Sequence, residues 1–475
     1  MIRDVGLLWV GQAATKVLAF VAFAFLARVL ETADYGAVEF AMGLAAFATV
    51  LIDAGLGTVG IRRLAQEGTS PARLAAHVAG AQMGLVAVVV PLACGCALLF
   101  APDSRTVLLS CIVAASLVPL PWRQDWLFQA TGQVAWSVVA QVVRGATFAV
   151  LVVLFVGHRP SLNLVGVFEV IAAVVAAAYL TRQQARRIGP PRLACNRGEL
   201  RRLVHEAMPI GAAGVVWGFI HYTPLLLVGA VGGVIEAAHL GAAQRLAITL
   251  VSFSFAYHVA FFPALVQRIE ADPEAAGRVS LASFRVAAWF GIAVGLALTL
   301  LAEPVLALVY GEKYGAAAPL LRCLAWIFPV TLLSGHVRWQ LVALREARLM
   351  LVAQVTGAVL VVVAGPLLVW GFGARGAAAA MLLACLAIWG AAHRFARARR
   401  IAAPIAPAVR PALVAGALLL LAGVVPLGPW IACLAGMLAY AGGALLLDRQ
   451  LIPDLRWMLQ LRSERAVAAG AAEGS

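Results

Sequence analysis

Apolar residues in this chain do not alternate with polar ones, and they do not recur at the three-to-four-residue spacing of a surface helix. They come in continuous runs of about 20, broken by short groups of charges, Gly and Pro. A helix needs about 20 mostly apolar residues to cross a bilayer, and the pattern predicts fourteen such spans. Their approximate boundaries are 5–30, 35–60, 74–100, 106–122, 133–156, 162–181, 207–231, 236–266, 281–302, 316–342, 347–370, 376–393, 410–427 and 429–447. The fourth, which carries Pro119 and Pro121, is the weakest. A transmembrane barrel is excluded, because its strands would alternate apolar and polar residues.

Charges between the runs give an orientation. With the N-terminus inside, the inner segments hold 25 of the 36 basic residues and the outer loops hold four: Arg105, Arg159, Lys313 and Arg375. Cytoplasmic loops retain Lys and Arg, so the bias predicts an even number of spans with both termini cytoplasmic. The longest basic loop, 182–206, contains Gly189-Pro190-Pro191 and splits the first twelve spans into two sixes. The expected organisation is an N-terminal lobe at 1–185, a linker at 186–206, a C-terminal lobe at 207–400, a further pair of spans at 401–447 and a cytoplasmic tail at 448–475. Residues 31–50 weakly echo residues 236–255, with Tyr35-Gly36 over Leu240-Gly241. Internal symmetry of this kind is common in transporters built from repeats. In the tail, Leu451, Leu455, Met458, Leu459 and Leu461 with Trp457 could form one face of an interfacial helix.

Composition narrows the function. Of 475 residues, 63% are hydrophobic and 12% are charged, and mean hydropathy is +0.94. Soluble proteins carry about a quarter charged residues, so an ordinary soluble enzyme, a disordered chain and a nucleic-acid-binding domain are excluded. The net charge of +14 is mostly the inner-loop excess. Six of the seven cysteines lie in apolar runs and read as small core residues. No nucleotide-binding loop, metalloprotease helix or serine-hydrolase elbow is present, so the chain is not expected to be an enzyme. A membrane glycan polymerase or ligase would need a large outer loop, and the longest outer stretch, 303–315, is short. No cofactor is expected, and energy would come from proton or sodium coupling, from substrate removal or from another protein.

The remaining candidates are ionisable residues inside the spans. A charge at the bilayer centre costs about 2.5–3.5 kcal/mol on insertion scales. The cations are Lys16, Arg28, Arg144, Arg245, Arg285, Arg322 and Arg338, the acids Glu39, Asp53 and Glu169, and the histidines His221, His258 and His336. Arg28, Arg285, Arg322 and Arg338 lie close enough to span ends to snorkel. Lys16, Arg144 and Arg245 lie deeper. Arg144 can pair with Glu169 on the next span, or both can serve function. Lys16 and Arg245 sit on opposite halves with no evident acidic partner, which favours a cavity that attracts an anion. Arg suits phosphate because its planar fork makes two hydrogen bonds. His221 and His258 could carry protons, or could be buried neutral rings bonded to their own helix.

The first 70 residues resemble the flippases of bacterial surface polysaccharides. The resemblance rests on Ala27-Arg28-Val29-Leu30, Asp34-Tyr35-Gly36, Asp53-Ala54-Gly55-Leu56-Gly57 and Ile61-Arg62-Arg63, with Leu240-Gly241-Ala242-Ala243-Gln244-Arg245-Leu246 matching in the second half. That family belongs to the multidrug/oligosaccharidyl-lipid/polysaccharide (MOP) exporter superfamily, with the lipid II flippases and the MATE exporters. The resemblance implies an all-α polytopic fold with two six-helix lobes in a MATE-like arrangement and two extra C-terminal helices. It implies a cargo of polyprenyl-pyrophosphate-linked oligosaccharide, moved across the bacterial inner membrane by alternating access. Lys16, Arg28, Arg144 and Arg245 would form a cationic cavity. Asp53, Arg62, Glu169, His221 and His258 would gate or couple it. Expected partners are the glycan lipid, membrane lipids and a polysaccharide polymerase or glycosyltransferases. Lipid II and an ion-coupled MATE-type cargo are the alternatives, and a scaffold of a glycan-assembly complex is the alternative that transports nothing.

Overall fold

The computed structural model describes residues 2–66, 70–158, 161–271, 273–344, 346–399 and 405–456; for 2–10, 256, 259–271, 273–276, 343 and 347 it describes the backbone alone. The described residues form helices and no strand. Twelve helices are long and apolar enough to cross a membrane. Two of the twelve are of double length, α9 (Arg197–Ala271) and α14 (Ala347–Ala398), and each is broken once, at Gly233 and at Gly373. Counting each as two crossings gives the fourteen that the apolar runs predict. The break at Gly233 has φ +81, a conformation that costs glycine little and an L-residue much. Spans seven and eight therefore join without a loop.

The chain divides into two compact units. The first comprises Met1–Gly241, Val309–Lys313 and Val361–Ala377; the second comprises Ala242–Leu308, Tyr314–Leu360 and Ala378–Ser475.

In the first unit, α1 (Ile2–Val29) lies against α7 (Val134–Leu151), and α7 against α8 (Leu162–Arg187). Beside them, α2 (Thr32–Asp53) packs on α4 (Pro71–Phe100) and α5 (Ser104–Ala115). The short α3 (Leu56–Leu64) and α6 (Asp125–Ala130) touch each other. The first half of α9 runs antiparallel to α2 along its length. A Cβ on Gly36 would fall 1.7 Å from the Val234 carbonyl oxygen, and one on Gly211 would fall 2.2 Å from that of Ala54. Between these ends, Gly43 faces Leu225 and Gly218 faces Phe47. Small residues let two membrane helices approach to backbone contact.

Local corrections to the sequence expectations have simple causes. The fourth span, counted above as one crossing over Ser104–Ala130, is broken within: α5 stops at Ala115, a 3₁₀ turn covers Leu120–Trp122, and α6 follows. Pro119 and Pro121 remove backbone donors there. The outer stretch 303–315 is largely helical, as α11 (Ala302–Tyr310) and a 3₁₀ turn at Glu312–Ala317. The basic loop is ordered along α4, with the Ala194 N–H donating to the Ala76 carbonyl at 3.0 Å. Residues 451–456 are helical; Trp457, Met458, Leu459 and Leu461 lie outside the described residues.

In the second unit, α10 (Pro273–Leu300) is the central element. It contacts α12 (Ala318–Leu324), α13 (Ile327–Ala343), α15 (Ala406–Val424) and α16 (Pro429–Leu447). Arg285 of α10 pairs with Asp448 at 3.5 Å and with Asp454. The Trp289 indole N–H donates to Asp448 at 3.0 Å. The Tyr440 hydroxyl donates to the Trp289 carbonyl at 3.1 Å. Arg285 thus satisfies two acids at the end of the last helix pair rather than reaching for the interface.

Candidate functional site

In the first unit, Lys16 sits half-buried on α1. Next to it, Thr15 bonds its hydroxyl to the Gly11 carbonyl at 2.8 Å. Gly145 of α7 faces Leu18 and Thr15, so the helix that carries Lys16 is held close to α7. Arg28 stands in the last turn of α1, and its Nε donates to the Val309 carbonyl at 3.0 Å. Lys313 donates to the carbonyls of Leu30 and Arg28. Two cations thus meet the free carbonyls where α1 and α11 end, the dipole-favoured location for positive charge. Arg144 forms an ion pair with Glu169, whose carboxylate is buried.

The Asp34-Tyr35-Gly36 stretch is a packing device. Gly36 admits the Val234 carbonyl. The Tyr35 hydroxyl donates to Glu39 at 2.6 Å, and its ring lies 6.4 Å from that of Tyr310. Glu39 is 4% exposed, and its side chain fills the place of a Cβ on Gly241.

The Asp53-Ala54-Gly55-Leu56-Gly57 stretch is a helix break. Ala54 and Gly55 take φ +44 and +79, the chain turns, and α3 begins. The Asp53 carboxylate faces the N–H groups of Gly55 and Gly57. Its Oδ1 lies 3.4 Å from the Cβ position of Gly57, beside the donors that the start of a helix leaves open. Beyond the break, α3 delivers Arg62 and Arg63 to two acids on α9. Arg62 reaches Glu206 at 3.1 Å. Arg63 grips Glu206 at 2.6 and 3.1 Å and Glu199 at 3.0 Å. Arg63 is 17% exposed and Arg62 55%, so the clamp is centred on Arg63. Sequence reasoning named Arg62. Glu199 and Glu206, two helical turns apart on one face of α9, were the available signal for the pair.

His221 is buried on the first half of α9. Its Nδ1 lies 2.8 Å from the Trp217 carbonyl, and its ring stacks on Trp217 at 4.4 Å.

In the second unit, Arg245 is half-buried on α9, and Thr249 bonds to its carbonyl at 2.7 Å. His258 is 1% exposed and belongs to a cluster that the sequence did not predict. Its ring lies 5.1 Å from that of His336. His336 Nε2 lies 3.1 Å from the Tyr257 hydroxyl and 3.0 Å from that of Ser283, and the two hydroxyls bond to each other. Three helices, α9, α10 and α13, supply these groups. Among the described residues, no group of three or more His, Cys, Asp or Glu side chains could hold a metal ion.

A family profile described as "Polysaccharide biosynthesis protein" matches residues 1–269, more than half of the chain. The chain belongs to that family. Solved structures agree on the fold. A lipid II flippase, MurJ, in an inward-closed conformation is similar at a TM-score of 0.74 and 12% identity, over 93% of this chain and 99% of that one. An inward-facing multidrug-resistance MATE transporter of the MOP superfamily is similar at 0.66 and 16% identity, over 81% and 94%. A MOP-superfamily transporter from Pyrococcus furiosus gives 0.56 and 13% identity, over 83% and 94%. No curated protein matches the chain. This member of the polysaccharide biosynthesis family is therefore a multi-pass membrane protein with the MOP transporter fold.

Proposed function

We propose that the protein moves an oligosaccharide on polyprenyl pyrophosphate from the cytoplasmic to the outer leaflet of a bacterial inner membrane, for surface polysaccharide assembly. The observation that carries this reading is the family match over residues 1–269. The deep cations support the chemistry, because a diphosphate is the group that Lys16 and Arg245 would attract and a cationic drug is one that they would repel. A ligand shifts a conformational equilibrium only by its differential affinity for the two states. In this mechanism the diphosphate neutralises the two cations, and the lobes at 1–185 and 207–400 change their access to the two faces while the sugar crosses in water. Both termini would be cytoplasmic, by the loop charges. Coupling to a proton or sodium gradient, and a polymerase or glycosyltransferase as partner, belong to the same proposal.

Lipid II is a second cargo, favoured by the fold similarity that covers 99% of a lipid II flippase.

The test is mass spectrometry of polyprenyl lipids in a strain lacking the protein. An intact oligosaccharide lipid should accumulate, and accumulation of lipid II would select the second cargo. Returning Lys16→Ala or Arg245→Ala should not clear the accumulated lipid, although the variant reaches the membrane. A charge-assisted hydrogen bond is worth about 1.5–3 kcal/mol, so transport should fall roughly tenfold or more. No accumulation with unchanged surface polysaccharide, or full activity in both variants, overturns the proposal.

A further inference from the structure

The transport reading above names His258 for gating or coupling but gives the cluster around it no chemistry. We infer that His258 and His336 form a binding site for one proton, framed by the hydroxyls of Tyr257 and Ser283. Each ring has its Nδ1 committed, at 2.7 Å from the Ser254 carbonyl for His258 and 3.2 Å from the Leu332 carbonyl for His336. A carbonyl only accepts, so each Nδ1 carries the hydrogen and each Nε2 is the open base.

The two Nε2 atoms differ. That of His258 is buried and within hydrogen-bond geometry of no partner among the described residues, with the Leu332 backbone acting on the ring beyond that of Ser254. Such an orphan acceptor is costly in an apolar interior. That of His336 meets two hydroxyls, and these can reverse. With His336 neutral, one hydroxyl donates to Nε2. When a proton arrives from water, the new Nε2–H donates instead, to the Ser283 or Tyr257 oxygen, and the hydroxyls turn without any covalent change. The pair takes one proton because a second would be repelled across 5.1 Å of protein interior. Two hydroxyl oxygens, with no carboxylate against them among the described contacts, make a poor site for sodium.

The charged and titratable neighbours set the cost of that proton. Tyr257 and His258 come from α9, and His336 and Arg338 from α13. Arg338 acts electrostatically on His258, and Cys385 of α14 faces Arg338. Arg285 of α10 is occupied by Asp448 and Asp454. The ring of His258 fills the place of a Cβ on Gly335, at 2.2 Å, so α9 and α13 are in close contact here. A proton adds positive charge to that contact beside Arg338 and strains it.

Trp339 supplies a reporter. Its ring is parallel to that of His258 within 3°, at 6.4 Å, and an imidazolium quenches indole emission. The full chain in detergent, titrated from pH 9 to pH 2.5, should lose fluorescence along a one-proton curve. The two rings share the proton, so the loss should vanish in Trp339→Phe, which assigns it, and in the double variant His258→Gln/His336→Gln, whereas each single His variant should move the midpoint. Should either His variant fail to purify as a folded protein, Tyr257→Phe with Ser283→Ala keeps both rings and decides the matter. It removes the oxygens to which the charged ring donates. Charged hydrogen bonds are about twice as strong as neutral ones, so the midpoint should fall by about half a pH unit or more. A Trp339-dependent quench that survives both His substitutions, its absence from the wild-type protein, or an unmoved midpoint in the double variant each overturns the inference. The measurement needs no cargo and is independent of the flippase reading.

Discussion

Arg62 and Arg63 are neighbours with unequal tasks. Arg63 makes three hydrogen bonds to two carboxylates and is mostly covered, whereas Arg62 makes one and is mostly exposed. Exposed ion pairs contribute about 0–1 kcal/mol; a covered, forked network contributes more. Arg63→Ala should therefore lower the melting temperature in detergent by several degrees, and Arg62→Ala should lower it by a small fraction of that. Equal losses would show that the clamp is a surface pair like any other. Asp53 follows the same logic: its position at the end of α2 was readable from the sequence, but its place beside the start of α3 depends on two consecutive left-handed residues that no apolar count reveals.

Among the elements, helix contacts made through missing side chains are the least forgiving. At Gly36 the obstacle to a methyl group is a backbone carbonyl, which cannot rotate away as a side chain can. Gly36→Ala should cost about 1–3 kcal/mol or more, read as loss of monodisperse protein after extraction. Gly84, with open space around its Cβ position, should accept alanine without loss. The last helix pair depends on a different device. Asp448 is 4% exposed, and Arg285 neutralises it. Removing one partner of a buried pair costs about 3–5 kcal/mol. Arg285→Gln should therefore loosen α15 and α16 and expose them to protease, and adding Asp448→Asn and Asp454→Asn should recover part of the loss. A protected Arg285→Gln protein would show that apolar packing alone holds the pair.

Over the whole molecule, the apolar runs carried the architecture because a bilayer imposes span length directly. They located fourteen crossings and missed what length does not encode: the Pro-broken fourth span and the short α11, which begins at a Glu303-Pro304 pair. The Tyr35-Gly36 and Asp53–Gly57 stretches were visible as motifs, yet their physical meaning lies in α9, some 150–200 residues away. The His336 cluster was hidden for a related reason, since Tyr257, Ser283 and His336 come from three helices and share no local pattern. Arg144 with Glu169 was readable because adjacent antiparallel spans bring matching depths together.

The antiparallel seam between α2 and α9 has a consequence in time. The glycine face of α2 is finished when residue 53 is made, but its partner ends at Gly241. At the usual synthesis rate of about 5–20 residues per second, α2 waits roughly 10–40 s for the helix that covers it. For that interval the nascent chain presents a groove made for close backbone contact and filled by nothing of its own. Whatever escorts the chain into the bilayer must keep that groove from closing on the wrong helix.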